Sequence, residues 1–428
     1  MKNVIRAVKG TVDFYPEEMA FRNWLYSNIR RVSESFGYQE YEGPLIESIE
    51  LYAAKSGEEL VKKQSFVFED RGGNLLTLRP ELTPTLARMV AQRQHQLPRP
   101  LRWWSFGPFW RYERPQKGRT REFFQWNIDL VGMVSPEGDA ELAAVGARLF
   151  QALGLTPKQV AILVNNRRLM EAELRGIGIG DELRPAIIRL IDRRDKMPAE
   201  KWEAYARDLG LSSGQLTQLI DLLSDGELWR KSEELVRFFD AVSALGCREY
   251  VQFAPHVIRG LDYYTGTVFE ARDCDGQFRA ILGGGRYDNL VAEVGGDPMP
   301  GVGFAMGDKV IRVVLEKFDR LPDPASLRYP LVVVTVFDQD TQLESFRLAA
   351  ELRAAGLNVA VYPQADRLGR QFRYADRIGA RAAVVLGPDE LQNGQVAVKN
   401  LLSGEQTKTP REQAANAIQK ILDTEPPS

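Results

Sequence analysis

The chain has 428 residues, of which 44% are apolar and 27% charged; that is a globular balance, which excludes a disordered or fibrous chain, and the length implies two or three domains. A net charge of −2 argues against a protein that coats nucleic acid through charge alone, though not against RNA recognised by shape and local contacts. No stretch approaches the ~20 apolar residues of a membrane span and the N-terminus lacks a signal-peptide pattern, so a cytoplasmic protein with no membrane partner is expected.

The predicted elements begin with an amphipathic helix over Glu17–Phe36, started after Pro16 and closed by Gly37. Strand patterns follow at Gln64–Glu69, Leu75–Leu78, Trp103–Tyr112 and Glu122–Val131. Some are joined by turn residues such as Arg71-Gly72-Gly73-Asn74, which is hairpin chemistry and hence antiparallel sheet. From about residue 157 to 245 the pattern is mostly helical, and strands resume at Val251–Arg259, Thr267–Arg272 and Phe278–Leu282. This reads as a helical insertion within an antiparallel-sheet domain spanning 1–321. Pro322, Pro324 and Pro330 mark a linker over 322–330. Beyond it, Leu331–Val336 is a continuous β-branched run suited to a strand buried on both faces. A helix (Thr341–Ala355), a strand (Leu357–Tyr362), a helix (Leu368–Ile378), two strands (Ala382–Leu386, Gln395–Lys399) and a last helix near Arg411–Leu422 complete a separate α/β domain over 331–428.

Only two histidines, His95 and His256, and two cysteines, Cys247 and Cys274, without a CxxC, leave little from which to build a histidine relay, a zinc site or a redox pair. No resident metal is expected. The chemistry must therefore run on carboxylates, arginines, tyrosines and amides.

Strand alternation places Trp104, Phe106, Trp110 and Tyr112 on one face of a hairpin and Ser105, Gly107, Phe109 and Arg111 on the other. On the returning strand Phe124, Trp126, Ile128 and Leu130 oppose Phe123, Gln125, Asn127 and Asp129. One face is an aromatic core; the other displays Arg111, Gln125 and Asp129 beside Phe123. The connecting loop carries Arg114, Lys117, Arg119 and Arg121. A half-solvated sheet with a charged turn would look similar, but a ligand with phosphates, an aromatic base and an amino acid needs what this face offers. Two further segments suggest cleft linings: Arg259-Gly260-Leu261-Asp262-Tyr263-Tyr264, and Gly283-Gly284-Gly285-Arg286-Tyr287-Asp288, whose glycines allow close backbone approach.

At these residues the chain resembles the histidyl-tRNA synthetase family of class II aminoacyl-tRNA synthetases, nearly end to end. Arg111–Glu113, the basic loop and Phe123 resemble the second class II motif, and Tyr41-Glu42-Gly43-Pro44 the first, which forms a dimer interface. Arg259–Tyr264 and Leu282–Asp288 resemble two histidine signatures, and Leu78–Thr83 the segment that holds the substrate ammonium. The resemblance implies an α+β catalytic domain and a C-terminal α/β anticodon-binding domain. It implies a homodimer that acts on histidine, ATP with Mg²⁺ and tRNA(His).

By position, Glu81, Leu82, Thr83 and Gln125 would surround the histidine ammonium. Asp129, Tyr263 and Tyr264 would read the imidazole. Arg259 and Arg111 would be catalytic, both near the α-phosphate and the histidine carboxylate. Arg119 would take the outer phosphates, Phe123 would stack on adenine, and Glu113 would lie near the base. Gln116, Lys117, Arg370 and Arg373 would meet tRNA; on the last predicted basic helix Arg367, Arg370, Arg373 and Arg377 form one stripe.

One position departs from the pattern. Val310 occupies the place of the arginine that the third class II motif supplies, with Lys309 beside it. No residue of that helix is expected to replace the lost cation, which leaves Arg119 and Arg121 as candidates. The competing reading is a histidine-binding regulatory subunit of ATP phosphoribosyltransferase; the intact Arg259–Tyr264 segment and the C-terminal domain oppose it.

Overall fold

The computed structural model describes residues 4–53, 64–112, 120–194, 197–258, 263–324 and 326–424. The chain forms two compact units, residues 1–321 and 322–428. In chain order the strands are β1 (Gln39–Glu40), β2 (Ile46–Ser48), β3 (Phe66–Glu69), β4 (Leu75–Leu78), β5 (Leu101–Trp110), β6 (Glu122–Val131), β7 (Val160–Asn166) and β8 (Val251–Phe253). They continue with β9 (Thr267–Asp273), β10 (Leu282–Tyr287), β11 (Gly301–Gly307), β12 (Leu331–Val334), β13 (Asn358–Val361), β14 (Ala382–Val385), β15 (Gln395–Asn400) and β16 (Gln406–Pro410).

The first unit is built on an eight-stranded sheet of order β1-β5-β6-β11-β10-β9-β7-β8. All neighbours are antiparallel except the outermost pairs, β1 with β5 and β7 with β8. The aromatic alternation of β5 and β6 decides which face is covered. Trp104, Trp126, Ile128 and Leu130 are buried in one core with Leu25 and Ile29 of the Pro16–Ser35 helix and Leu142 and Phe150 of the Pro136–Ala152 helix. With the helices packed on this face, the opposite face, carrying Phe123, Gln125 and Asp129, is left for other work.

The sequence reading needs correction at three elements. The helical run starts at Arg167, not 157, because Val160–Asn166 is a strand of the main sheet. Its continuous apolar run is buried on both faces and lacks the alternation that marks a half-buried strand. The glycine-rich signature is strand β10, beginning at Leu282 where the predicted strand ended. A Cβ on Gly284 would overlap the Gly303 carbonyl oxygen and come within 2.7 Å of Phe304 Cα, so glycine lets β10 and β11 pair there. Third, β8 stops at Phe253; Arg259 lies outside the described residues.

In the second unit the order is β13-β12-β14-β15-β16, with β12 parallel to β13 and β14, and the remaining pairs antiparallel. Val332, Val333 and Val334 are buried, as their β-branched run implied. β16 was not predicted: its residues Gln-Thr-Lys-Thr-Pro carry no apolar alternation because it is an exposed edge strand.

Candidate active site

The sheet register brings the polar face together. Asp129 on β6 lies opposite Gly303 on β11, which lies opposite Gly285 on β10. A Cβ on Gly303 would overlap the Asp129 carboxylate and sit 2.7 Å from the Ile128 carbonyl oxygen, so glycine is what admits the aspartate. The Tyr264 ring lies over Gly285, where an added Cβ would meet its Cδ1 at 2.9 Å. Two strand spacings, about 10 Å, therefore separate Asp129 from the strand beneath Tyr264.

Asp129 is only 4% exposed. Burial pushes its carboxyl up to about 7, opposed by the hydrogen bond that Tyr287 Oη donates to Oδ1 at 2.7 Å. Burial and then the nearby Asp129 charge raise the Tyr41 hydroxyl. Tyr263 completes the cluster, its ring 4.8 Å from that of Tyr264 and 6.4 Å from that of Tyr287. Neither Tyr287 nor Tyr41 was assigned a role from sequence, although both lie in motifs that were singled out. Tyr287 reaches Asp129 across 158 positions, which spacing does not reveal, and the buried Tyr41 hydroxyl has no hydrogen-bond partner among the described residues.

Arg111 connects this cluster to a cavity. Its Nε donates to the Pro80 carbonyl at 2.9 Å. Burial lowers its guanidinium pKa against the opposing charges of Glu81 and Tyr263. The Glu81 segment is fixed from below by Arg79, which is fully buried, donates to the Pro108 and Gly43 carbonyls at 2.9 and 3.1 Å, and pairs with Glu42. Tyr52 donates to the Glu81 carbonyl at 3.1 Å. The Leu82 side chain is buried, and Thr83 opens the Thr83–Arg93 helix.

The cavity, of about 320 Å³, is lined by Arg111, Phe123 and Gln125 and extends to Arg279, Lys309 and Val310. Phe123 stacks on Phe109 with ring centroids 6.0 Å apart, and the Arg111 guanidinium lies 5.2 Å from its centroid. The aromatic ring and the arginine are thus presented together. Glu81, Asp129, Tyr263 and Tyr264 are not in the cavity wall; they form the adjoining cluster, with Arg111 and Gln125 between. Asn127 Nδ2 and Ser105 Oγ, buried on the same sheet face, have no hydrogen-bond partner among the described residues.

Behind the two tyrosines a polar network fixes the segment. Arg167 donates to the Tyr264 carbonyl at 2.8 Å and Thr265 to Asp288 at 2.7 Å. Asp288 also pairs with Arg168, which further engages Glu234 of the helical run and donates to the Thr265 carbonyl at 3.1 Å. Arg286 is buried against Asp139. Glu113, Gln116, Lys117, Arg119 and Arg259 lie outside the described residues.

The expectation for the third motif needs correction. Lys309 and Val310 both border the cavity, as do Gly307 and Asp308, because the Asp308–Lys317 helix starts directly at the end of β11. Lys309 is engaged with Asp308 at 3.5 Å. Arg121 is not in the cavity wall: its guanidinium lies 4.1 Å from the Tyr112 ring centroid and donates to the Lys9 carbonyl at 3.4 Å. On the second unit, Gln371 of the Leu368–Arg377 helix is fully buried and bonds both ways with the Val336 backbone. Arg367, Arg370, Arg373 and Arg377 are exposed.

Residues 10–311 match the family profile of histidyl-tRNA synthetase, and residues 331–421 that of an anticodon binding domain. The chain is 38% identical over 408 residues to the histidine–tRNA ligase, chloroplastic/mitochondrial, of Arabidopsis thaliana, covering 93% of this chain and 83% of that one. The crystal structure of histidyl-tRNA synthetase from Nostoc sp. PCC 7120 superposes with a TM-score of 0.83 at 27% identity, covering 98% of this chain and 100% of that one. An ATP phosphoribosyltransferase regulatory subunit/histidyl-tRNA synthetase from Bacillus halodurans shares the fold, with a TM-score of 0.71 at 22% identity over 86% of this chain and 94% of that one.

Proposed function

Since the chain belongs to the histidyl-tRNA synthetase family, we propose that it activates histidine with MgATP on the polar sheet face and transfers it to tRNA(His). The observation that carries this reading is the position of Arg111. It lines the cavity beside Phe123 and also feels Glu81 and Tyr263 in the neighbouring cluster. A nucleotide stacked on Phe123 and an amino acid held by Glu81, Thr83 and Gln125 would meet at that guanidinium.

The histidine carboxylate is already a nucleophile at neutral pH, so no general base is needed. Its oxygen bonds to the α-phosphorus of ATP, the bond to the β-phosphate oxygen breaks, and pyrophosphate leaves. Arg111 and Arg259 align the carboxylate and offset charge on the reacting phosphoryl group. In the second step a ribose hydroxyl at the tRNA 3′ end attacks the acyl carbon, and AMP leaves. Neutral imidazole offers one donor and one acceptor; ionised Asp129 accepts the first, and a phenol of the Tyr263–Tyr264 pair serves the second.

Arg119 is assigned to the outer phosphates, Glu113 to the base, and Gln116, Lys117, Arg370 and Arg373 to tRNA. We assign the protein to the cytoplasm; no helix among the described residues is long and apolar enough to cross a membrane. We also assign a homodimer: exposed Leu45 and Ile46 beside Pro44, with Val67, Phe68 and Leu75 on the small β2-β4-β3 sheet, supply an apolar surface next to the first motif. The regulatory-subunit reading is less supported, since the family match extends through the anticodon-binding domain.

Aminoacylation of total tRNA tests the proposal. Labelled histidine, and no other amino acid, should become acid-precipitable; labelling by a different amino acid would overturn the assignment of Asp129 and Tyr264.

A further inference from the structure

The cavity wall contains a cation that the sequence motifs do not include. Arg279 borders the same space as Arg111, Phe123 and Val310. It is exposed, and among the described residues no hydrogen bond or ion pair engages it. Arg111 is already committed to the Pro80 carbonyl and to Glu81, and Lys309 to Asp308.

Arg279 also sits on a fixed turn. The Asp273 carboxylate accepts the backbone N–H groups of Gln277 at 3.1 Å and Phe278 at 3.0 Å. Lys317 then clamps that turn, donating to Asp273 at 3.0 Å and Asp275 at 2.6 Å. Lys317 belongs to the helix whose first turn carries Lys309 and Val310. One helix therefore borders the cavity with its N-terminal turn and holds the turn bearing Arg279 with its C-terminal turn. Three residues beyond Arg279 the chain enters β10 at Leu282, the partner of β11, whereas Phe123 lies on β6 across β11. Phe123 and Arg279 thus approach the cavity from opposite sides, with Val310 between them.

We propose that Arg279 holds the outer phosphates of ATP, supplying from the β9–β10 turn the positive charge that position 310 lacks. The inference rests on the proposed ATP chemistry. A base stacked on half-buried Phe123 places the polyphosphate toward the rim, from which pyrophosphate must depart. An exposed guanidinium without a carboxylate partner suits that end, where it can bind two phosphate oxygens at once.

The test compares wild type, Arg279→Ala, Arg279→Lys and the double variant Arg279→Ala with Val310→Arg. Two readouts are needed: histidine-dependent ATP–pyrophosphate exchange, and calorimetric binding of ATP and of AMP. Removing one charge-assisted contact should raise the KM for ATP by at least about tenfold, leave the KM for histidine unchanged and leave AMP binding intact. Arg279→Lys should fall between, and the double variant should recover part of the lost ATP affinity because residue 310 borders the same cavity. A wild-type KM for ATP in Arg279→Ala overturns the proposal, as does an equal loss of ATP and AMP binding, which would place Arg279 on the base. If wild type performs no exchange yet prefers ATP over AMP through Arg279, the catalytic reading fails while this assignment stands.

Discussion

Replacing Asp129 with Asn should stabilise the protein at high pH while impairing its function. Burial moves this carboxyl from 3.8 to about 7, so between those values the folded chain keeps a proton that the unfolded chain has released. Stability from this group is therefore present at low pH and declines as pH rises through about 7. The slope is about 1.4 kcal/mol per pH unit, so moving from pH 5 to pH 8 costs the wild type about 3 kcal/mol at this site. Asparagine does not titrate and retains an oxygen to accept the Tyr287 hydroxyl. In urea unfolding at the two pH values, Asp129→Asn should gain about 3 kcal/mol relative to wild type between pH 5 and pH 8. Histidine binding should move the other way. In the wild type it strengthens from pH 6 to pH 8 as the carboxylate ionises and the ligand's own imidazole becomes neutral; in the variant it weakens by at least about tenfold at pH 8, and only the smaller rise due to the ligand remains. A stability difference that is the same at both pH values, or unimpaired histidine binding by Asp129→Asn, would refute the reasoning.

Gly303→Ala places a methyl into the Asp129 carboxylate and against the Ile128 carbonyl; thermal unfolding should show a loss of about 1–3 kcal/mol, and calorimetry a larger loss of histidine affinity. Arg259→Ala should slow adenylate formation by about 10²–10³-fold in single-turnover measurements while leaving the melting temperature unchanged, as its proposed pairing with substrate charge requires. Arg370→Glu with Arg373→Glu alters two exposed positions of the Leu368–Arg377 helix; charging of tRNA should fall several-fold, with pyrophosphate exchange at the wild-type rate.

What the sequence reveals of this molecule depends on how local each signal is. The period-two aromatic pattern of β5 and β6 was legible because each strand carries its own face, and it correctly separated Trp104 and Trp126 from Gln125 and Asp129. β7 was not legible, since Val-Ala-Ile-Leu-Val is equally a buried strand or a stretch of buried helix. The strand character of Gly283-Gly284-Gly285 was hidden because glycine has no side chain to alternate; its reason is the Gly303 carbonyl on the next strand. In the site, alternation alone brought out Gln125 and Asp129, and the Tyr263-Tyr264 segment read as a cleft lining, whereas Glu81 and the individual roles of all five came from resemblance to a family. Tyr287 and Tyr41 join Asp129 only through strand order. Arg279 lay outside every motif, within the stretch Phe278–Leu282 that reads as a strand, whereas β10 begins only at Leu282; the geometry around Val310 is what gives it meaning.

The central claim is that histidine and ATP meet at Arg111 and react there without tRNA. Exchange of labelled pyrophosphate into ATP, with Mg²⁺ present and each amino acid supplied in turn, tests it most directly. Exchange with histidine alone, in the absence of tRNA, is the predicted result. Clean histidine binding with no exchange under any condition would contradict it, and would make the chain a histidine-binding protein that carries the synthetase fold without the chemistry.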